Sequence, residues 1–393
     1  MEPLDQRREA ERKRLFEQAR RVVVKVGTST VTADSGELAT ERLRPIVRSI
    51  AELMRAGRQV VLVSSGAVGL GRGWLGLDRS RLEDLATKQA CAAVGQSLLM
   101  EAYKRLFSAS DIKVAQVLLT EDDFTAWRRH ANLQHTIERL WQFSVLPIIN
   151  ENDTVSTAEI ESLEGSSRRA FSDNDRLAAL VMSGLAAEVL VLLTNVDGFL
   201  SSKRSRPHRQ SPRGDQAQVV RFVDRITPDL LQLAAGPSAN GRGGMISKLR
   251  AAEIAMSCGG MAVIANGTDP QTLDRLFAGD GMGTTFLPSQ RIKRKRRWIA
   301  FAAGVAGRIV VDAGAQQAIT QKKASLLASG VVRVENPFSV KDVVSISDTE
   351  GREFARGIAA CTSREAAARA ENQKVPSSRI VVRRDNIVLL GNP

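Results

Sequence analysis

The stretch VVVKVGTST, residues 22–30, decides how this chain is read. It is an apolar run with a lysine at its fourth position, ending in a Gly-Thr-Ser turn. A short β-branched run closed by a glycine turn reads as a strand buried on both faces, the kind found in parallel sheets. An unpaired ammonium is costly in such a place. Lys25 therefore either lies on an exposed edge or points from the strand end at something anionic.

Working outward from that strand (Arg21–Gly27), similar runs recur at Gln59–Ser64, Val114–Leu119, Val145–Asn150, Val189–Thr194 and Met261–Ala265. Between them lie helical patterns at Thr40–Ala56, Leu82–Phe107, Arg128–Gln142, Asn174–Ala186 and Ser247–Ser257. Alternation of this kind predicts an α/β fold, a three-layer αβα sandwich around a mainly parallel sheet over residues 21–290. Ligands in such sheets bind beyond the carboxyl ends of the strands. Two segments break the pattern: the polar Glu159–Phe171 and the Arg-, Ser- and Pro-rich Ser201–Gln218.

Ahead of the sandwich, residues 1–20 form a charged, helix-prone extension. Behind it, RIKRKRRW (291–298) reads as a basic linker. Short β-like runs follow at Arg308–Val311, Val331–Val334, Val343–Ile346, Arg379–Val382 and Ile387–Leu390, around one helical stretch at Ala313–Thr320. This predicts a small, mostly β domain over 299–393.

Composition narrows the function classes. The chain has 393 residues, 43% hydrophobic and 25% charged, which is ordinary for a globular protein. The first residues lack the apolar core of a signal peptide, and Leu177–Val196 is interrupted by Glu188, so a cytoplasmic protein is expected. Three scattered cysteines and three histidines make disulfide frameworks, zinc sites and histidine triads poor expectations. The net charge of +13 is uneven: from Arg291 onward there are 19 Lys and Arg against 9 Asp and Glu, a balance of +10, leaving +3 before it. A basic C-terminal quarter suits an anionic partner or a solubilised surface, and composition leaves both open.

Six motifs sit at expected strand or helix ends: KVGTS (25–29), VSSGAVGLG (63–71), INENDTV (149–155), SDND (172–175), LLTNVDGF (192–199) and GRGGMISK (241–248). No GxxxxGK[ST] and no protein-kinase HRD or DFG signature occurs. Glycine turns that open helices still make anion cradles, and two of these turns carry a lysine, Lys25 and Lys248. Two ammonium groups converging on a phosphate supply what phosphoryl transfer needs most, positioning and charge neutralisation. The acidic residues have two readings. Asp153, Asp173 and Asp175 suit helix caps and turns, or one of them orients the two lysines. Ser65 either caps the following helix or binds a substrate carboxylate.

Taken in this order and spacing, together with VGQSLLM (94–100) and QVLLT (116–120), the motifs resemble the amino acid kinase family. The resemblance is to the branch that phosphorylates the γ-carboxylate of L-glutamate, the first step of proline biosynthesis. The basic segment ending at Trp298 and the β-rich region after it resemble a PUA domain. The resemblance implies the amino acid kinase fold and ATP as co-substrate with Mg²⁺. It implies catalytic roles for Lys25, Lys248 and Asp175, with glutamate held by Ser65, Asp153 and Asn174. ATP is then held by Lys25, Thr194, Asn195 and the run Arg242, Gly243, Gly244, Met245, Ile246, Ser247 and Lys248. It further implies a homo-oligomer, a tetramer, with proline as feedback inhibitor and weak RNA binding by the PUA-like domain. The chain departs from the family pattern at Ser172, where glycine is usual, at Arg242, where a small residue is common, and at Asn195, where aspartate is common. Two neighbouring readings share these residues: a kinase for N-acetylglutamate, aspartate or a nucleotide, and an RNA-binding protein with a vestigial kinase domain.

Overall fold

The computed structural model describes residues 3–120, 122–125, 127–155, 174–201, 218–234, 244–289, 299–300, 304–367 and 378–390. The segments at 159–171 and 291–298, most of 201–218, and Arg242, Gly243, Ser172 and Asp173 lie outside them. The chain divides into two compact units, residues 1–120 with 134–291, and residues 121–133 with 292–393.

In chain order the elements are α1 (Pro3–Gln18), β1 (Arg21–Val26), α2 (Thr28–Val31), α3 (Thr40–Arg55), β2 (Gln59–Ser64), α4 (Ala67–Trp74), α5 (Leu85–Ser108), β3 (Lys113–Leu119), α6 (Asp122–Thr125), α7 (Trp127–Gln142) and β4 (Val145–Glu151). Then come α8 (Asn174–Leu185), β5 (Val189–Thr194), β6 (Phe222–Val223), α9 (Pro228–Ala234), α10 (Met245–Ser257), β7 (Met261–Asn266), α11 (Thr272–Ala278) and β8 (Thr284–Phe286).

The larger unit is built on an eight-stranded sheet in the order β3-β4-β2-β1-β5-β7-β8-β6. Six strands, β3 to β7 in that order, run parallel; β8 is antiparallel to β7 and pairs in parallel with β6. The period-2 alternation of a strand sorts its residues between two layers. Val22, Val24 and Val26 of β1 join Val60 and Leu62 of β2 and Val189, Val191 and Leu193 of β5 in one apolar cluster, under residues of α1, α3, α5 and α11. Val23 and Lys25 therefore face the opposite layer, where α8 and α10 pack on the sheet. Helices on both faces complete the three-layer sandwich.

Helix α1 is part of that packing. Phe16 is fully buried and meets the Phe277 ring edge-on at 4.9 Å. Arg12, 1% exposed, donates to the Gly279 and Asp280 carbonyls, each at 2.6 Å, and thereby closes the end of α11. In return, Arg58 donates to the Phe16 and Ala19 carbonyls at 2.7 and 2.9 Å. Some of the charges that mark residues 1–20 thus meet backbone carbonyls and nearby carboxylates, including ion pairs of Arg8 with Asp224 and Glu9 with Arg221.

The second unit continues with β9 (Gly307–Val311), α12 (Ala313–Lys322), β10 (Leu326–Leu327), β11 (Val331–Glu335), β12 (Val343–Ser347), β13 (Glu353–Ala359), α13 (Ser363–Ala367) and β14 (Ile380–Leu389). Its six-stranded sheet has the order β10-β14-β13-β12-β9-β11 and is antiparallel except between β12 and β9. A core of its own, including Ile309, Val311, Val344, Ile346 and Val382, lies beneath it.

Several boundaries differ from the sequence pattern. The two runs expected at Arg379–Val382 and Ile387–Leu390 are one strand, whose pairing with β13 slips in register between Val382 and Ile387, so the exposed polar residues between them form an irregularity inside a continuous strand. The long helix expected from Leu82 starts at Leu85, where Asp84 accepts from the Thr87 N–H at 2.8 Å and caps it. Strands β6, β8 and β10 are only two or three residues long, too short to show a period. β13 (EFARGIA) hides its alternation behind Gly357 and Arg356. Among the described residues, no helix is long and apolar enough to cross a membrane.

Phe16→Ala removes a fully buried ring and is expected to cost about 3–5 kcal/mol. Denaturant unfolding of the full chain measures it; a loss under about 1 kcal/mol would show that α1 is not part of the cooperative core.

Candidate active site

The site is organised by the first two residues of α8. Asn174 and Asp175 are neighbours in sequence, yet their side chains join different partners. Asp175 is 0% exposed and receives two ammonium groups: Lys25 Nζ lies 2.6 Å from its Oδ1, and Lys248 Nζ lies 3.0 Å from its Oδ2. Lys25 comes from β1 and Lys248 from the first turn of α10, so one carboxylate ties a central strand to two helix starts. Lys25 is 4% and Lys248 6% exposed. Two buried cations on one buried anion leave an excess positive charge that suits an anionic ligand.

Burial by itself pushes the Asp175 carboxyl up. The charges of Lys25 and Lys248, with their hydrogen bonds, outweigh it and hold the group below the ordinary carboxylate range.

On the other side, Asn174 Nδ2 donates to Ser65 Oγ at 2.9 Å and to Asn150 Oδ1 at 3.1 Å. Ser65 follows β2 directly and Asn150 is the penultimate residue of β4, so these groups also sit at carboxyl ends of parallel strands. Asn150 Nδ2 in turn donates to Gln96 Oε1 of α5 at 2.9 Å. Asn174 Oδ1 is buried and has no hydrogen-bond partner among the described residues.

The loops between strand and helix keep their backbone donors open. Helices α2, α4 and α10 begin after Gly27, Gly66 and Gly244, and none of the three has a side-chain cap. First-turn N–H groups left this way favour anions. Gly66 must be glycine: its φ is +107°, and a Cβ there would lie 2.7 Å from Val31 Cγ1.

The structure brings Lys25, Lys248 and Asp175 into one triad and joins Ser65 to Asn174. Asp153 stands half-buried in the turn after β4. Thr194 ends β5 and is 8% exposed, and its hydroxyl donates to Asn195 Oδ1 at 3.4 Å. Gly244 to Ser247 open α10 in partly exposed positions beside Lys248. Arg242 and Gly243 lie outside the described residues. Asn150 and Gln96 belong to motifs visible in the sequence, but neither is singled out there as a site residue. Their signal is a polar amide at an otherwise apolar position: the end of LPIIN and the buried face of AAVGQSLL.

The geometry gathers two lysines on one buried carboxylate beside a cluster of hydrogen-bonded amides, all at the carboxyl ends of parallel strands. Residues 20–266 match the amino acid kinase family and residues 307–381 the PUA domain. A protein named glutamate 5-kinase from Moorella thermoacetica is 40% identical over 385 residues, covering 95% of this chain and 97% of its own. Proteins of the same name from Caldanaerobacter subterraneus subsp. tengcongensis and Gloeobacter violaceus are 42% and 43% identical, each covering 88% of this chain and 89% and 90% of their own. The chain belongs to the amino acid kinase family, in its glutamate 5-kinase branch, with a PUA domain behind the kinase domain.

Asp175→Asn leaves two buried ammonium groups facing a neutral amide and is expected to cost about 3 kcal/mol in the ligand-free protein. Because the native carboxyl is held down, its contribution is present above the unfolded-state value of about 3.9 and fades as pH falls below it. Urea unfolding of both proteins checks this. The difference is expected to be constant from about pH 6 to 8 and to shrink below about pH 4.

Proposed function

We propose that the protein transfers the γ-phosphoryl group of ATP to the γ-carboxylate of L-glutamate, giving glutamyl 5-phosphate and ADP, the first step of proline biosynthesis. The observation that carries this reading is the shared start of α8. Asp175 holds the two phosphate-directed lysines, and the adjacent Asn174 holds the polar pocket, so donor and acceptor groups are registered by one helix turn. Near-full-length similarity to glutamate 5-kinases supports the choice of acceptor.

In this reading Lys25 and Lys248 contact the transferring phosphoryl group and neutralise charge as it develops, while Asp175 keeps them apart and aimed. Ser65, Asn174 and Asp153 hold glutamate. The buried Asn174 Oδ1 is an acceptor suited to the α-ammonium of a free amino acid. Thr194, Asn195 and the segment from Arg242 to Lys248 hold the nucleotide, with its phosphates against the uncapped start of α10. The attacking carboxylate is ionised at neutral pH, so no general base is needed.

Mg²⁺ neutralises and orders the phosphates of ATP when bound. In this reading the ion is carried chiefly by phosphate oxygens and water. Residues 21–290 form the catalytic domain in this proposal, and 299–393 the PUA domain. The protein works as a tetramer.

ADP release from the purified protein with Mg-ATP tests the reading, using L-glutamate beside N-acetylglutamate, aspartate and UMP. Turnover is expected with glutamate alone. Lys248→Ala is expected to lower kcat by about 10²–10³-fold. Turnover with another acceptor would overturn the substrate, and no turnover with any would overturn the activity.

A further inference from the structure

Helix α5 presents two polar side chains on its buried face, and both reach the ends of strands beside the site. Gln96 accepts from Asn150 at 2.9 Å, and Tyr103 shares a 2.8 Å hydrogen bond with Ser64, the residue before Ser65. They are seven residues apart, two helical turns, and hence on one face. The rest of that face is small or apolar, including Cys91, Ala92, Gly95 and Leu99. A glutamine there is costly to bury unless its hydrogen bond is made.

The position of α5 is itself tightly constrained. A Cβ on Gly95 would lie 1.7 Å from the Ala67 carbonyl oxygen, and one on Gly71 would lie 1.8 Å from that of Cys91. Backbone therefore meets backbone where α5 crosses α4, the helix that begins two residues after Ser65.

The amide contacts form a directed chain. Asn150 Oδ1 accepts from the Glu151 N–H at 2.9 Å and from Asn174 Nδ2 at 3.1 Å, while its Nδ2 donates to Gln96. Turning that amide over would set Nδ2 against two donors and Oδ1 against the Gln96 oxygen. Asn174 uses its Nδ2 on Ser65 and Asn150, which leaves its Oδ1 as the buried acceptor. We propose that Gln96 is a positioning residue for glutamate: its carbonyl sets the polarity of Asn150, and Asn150 keeps the carbonyl of Asn174 available to the substrate ammonium. The proposal rests on the reading of Ser65 and Asn174 as glutamate ligands.

Gln96→Met keeps the length of the side chain and removes the acceptor. KM for glutamate is expected to rise about tenfold, the loss of about one buried hydrogen bond, while KM for ATP stays within about twofold and Tm within a few degrees. Gln96→Asn withdraws the amide by one methylene and is expected to show a smaller rise, again confined to glutamate. It decides the matter if the methionine variant does not fold. Built on Asn174→Ala, Gln96→Met is expected to add less than about twofold, because the chain is already cut. An unchanged KM for glutamate, an equal rise for ATP, or effects that simply multiply would overturn the positioning role. Wild-type turnover is measured in the same assay. A wild type inactive on glutamate overturns the proposed function, whereas an active wild type with indifferent Gln96 variants overturns only the role of Gln96.

Discussion

The buried carboxylate of Asp175 is the constraint on which the rest of the site depends. Two lysines from distant parts of the chain, Lys25 and Lys248, end on its two oxygens. Without it, two ammonium groups would share a desolvated pocket with nothing between them, and neither β1 nor α10 could keep its present position at low cost. With it, the pocket retains an excess positive charge, buried and prepositioned. A site that must bring together two anions needs that charge in place before either arrives, since charge arranged in advance requires no reorganisation during the reaction.

The apolar scaffold makes the arrangement possible. Alternation along β1 commits Val22, Val24 and Val26 to one face, so Lys25 has no choice but the other. On that face α8 and α10 start close to the strand ends, and their first turns bring Asp175 and Lys248. The opposite face is closed by α1, α3, α5 and α11. There α5 contributes more than packing, because its two buried polar groups touch the ends of β2 and β4. The sheet thus divides the labour. One helical layer supplies Asp175 and Lys248 to the triad with Lys25, and the other supplies a hydrogen-bonded backing to the ends of β2 and β4.

The N-terminal helix belongs to the same economy of polar groups. A segment as charged as residues 1–20 would ordinarily be solvated, yet Arg12 is buried with two backbone carbonyls and the Glu9 carboxylate as its acceptors, and Phe16 anchors the helix in the core. The Gly279 and Asp280 carbonyls in the turn after α11, with the Glu9 carboxylate, explain why a buried guanidinium is tolerated there.

By itself the sequence determined the class of fold and the ends of most parallel strands, and it marked Lys25 and Lys248 as candidates, while Asp175, Ser65 and Asn174 took their site roles from the family resemblance. The strands and the two lysines are legible because buried parallel strands are continuous apolar runs, and because a lysine in one of them, or beside a glycine turn that opens a helix, breaks a strong local pattern. Three things were decided only in the tertiary structure. The first is the pairing of one carboxylate with two lysines at positions 25 and 248, a contact between residues far apart in the chain. The second is the hydrogen bond between Asn150 and Gln96, whose amides look like ordinary polar residues until the strand end and the helix face meet. The third is the docking of α1, whose charges suggest water and whose partners, two backbone carbonyls after α11 and the side chains of Arg221 and Asp224, no sequence pattern marks. Local patterns record which face a residue takes within its own element. Which groups then satisfy one another depends on the layers closing, and that is a property of the whole fold.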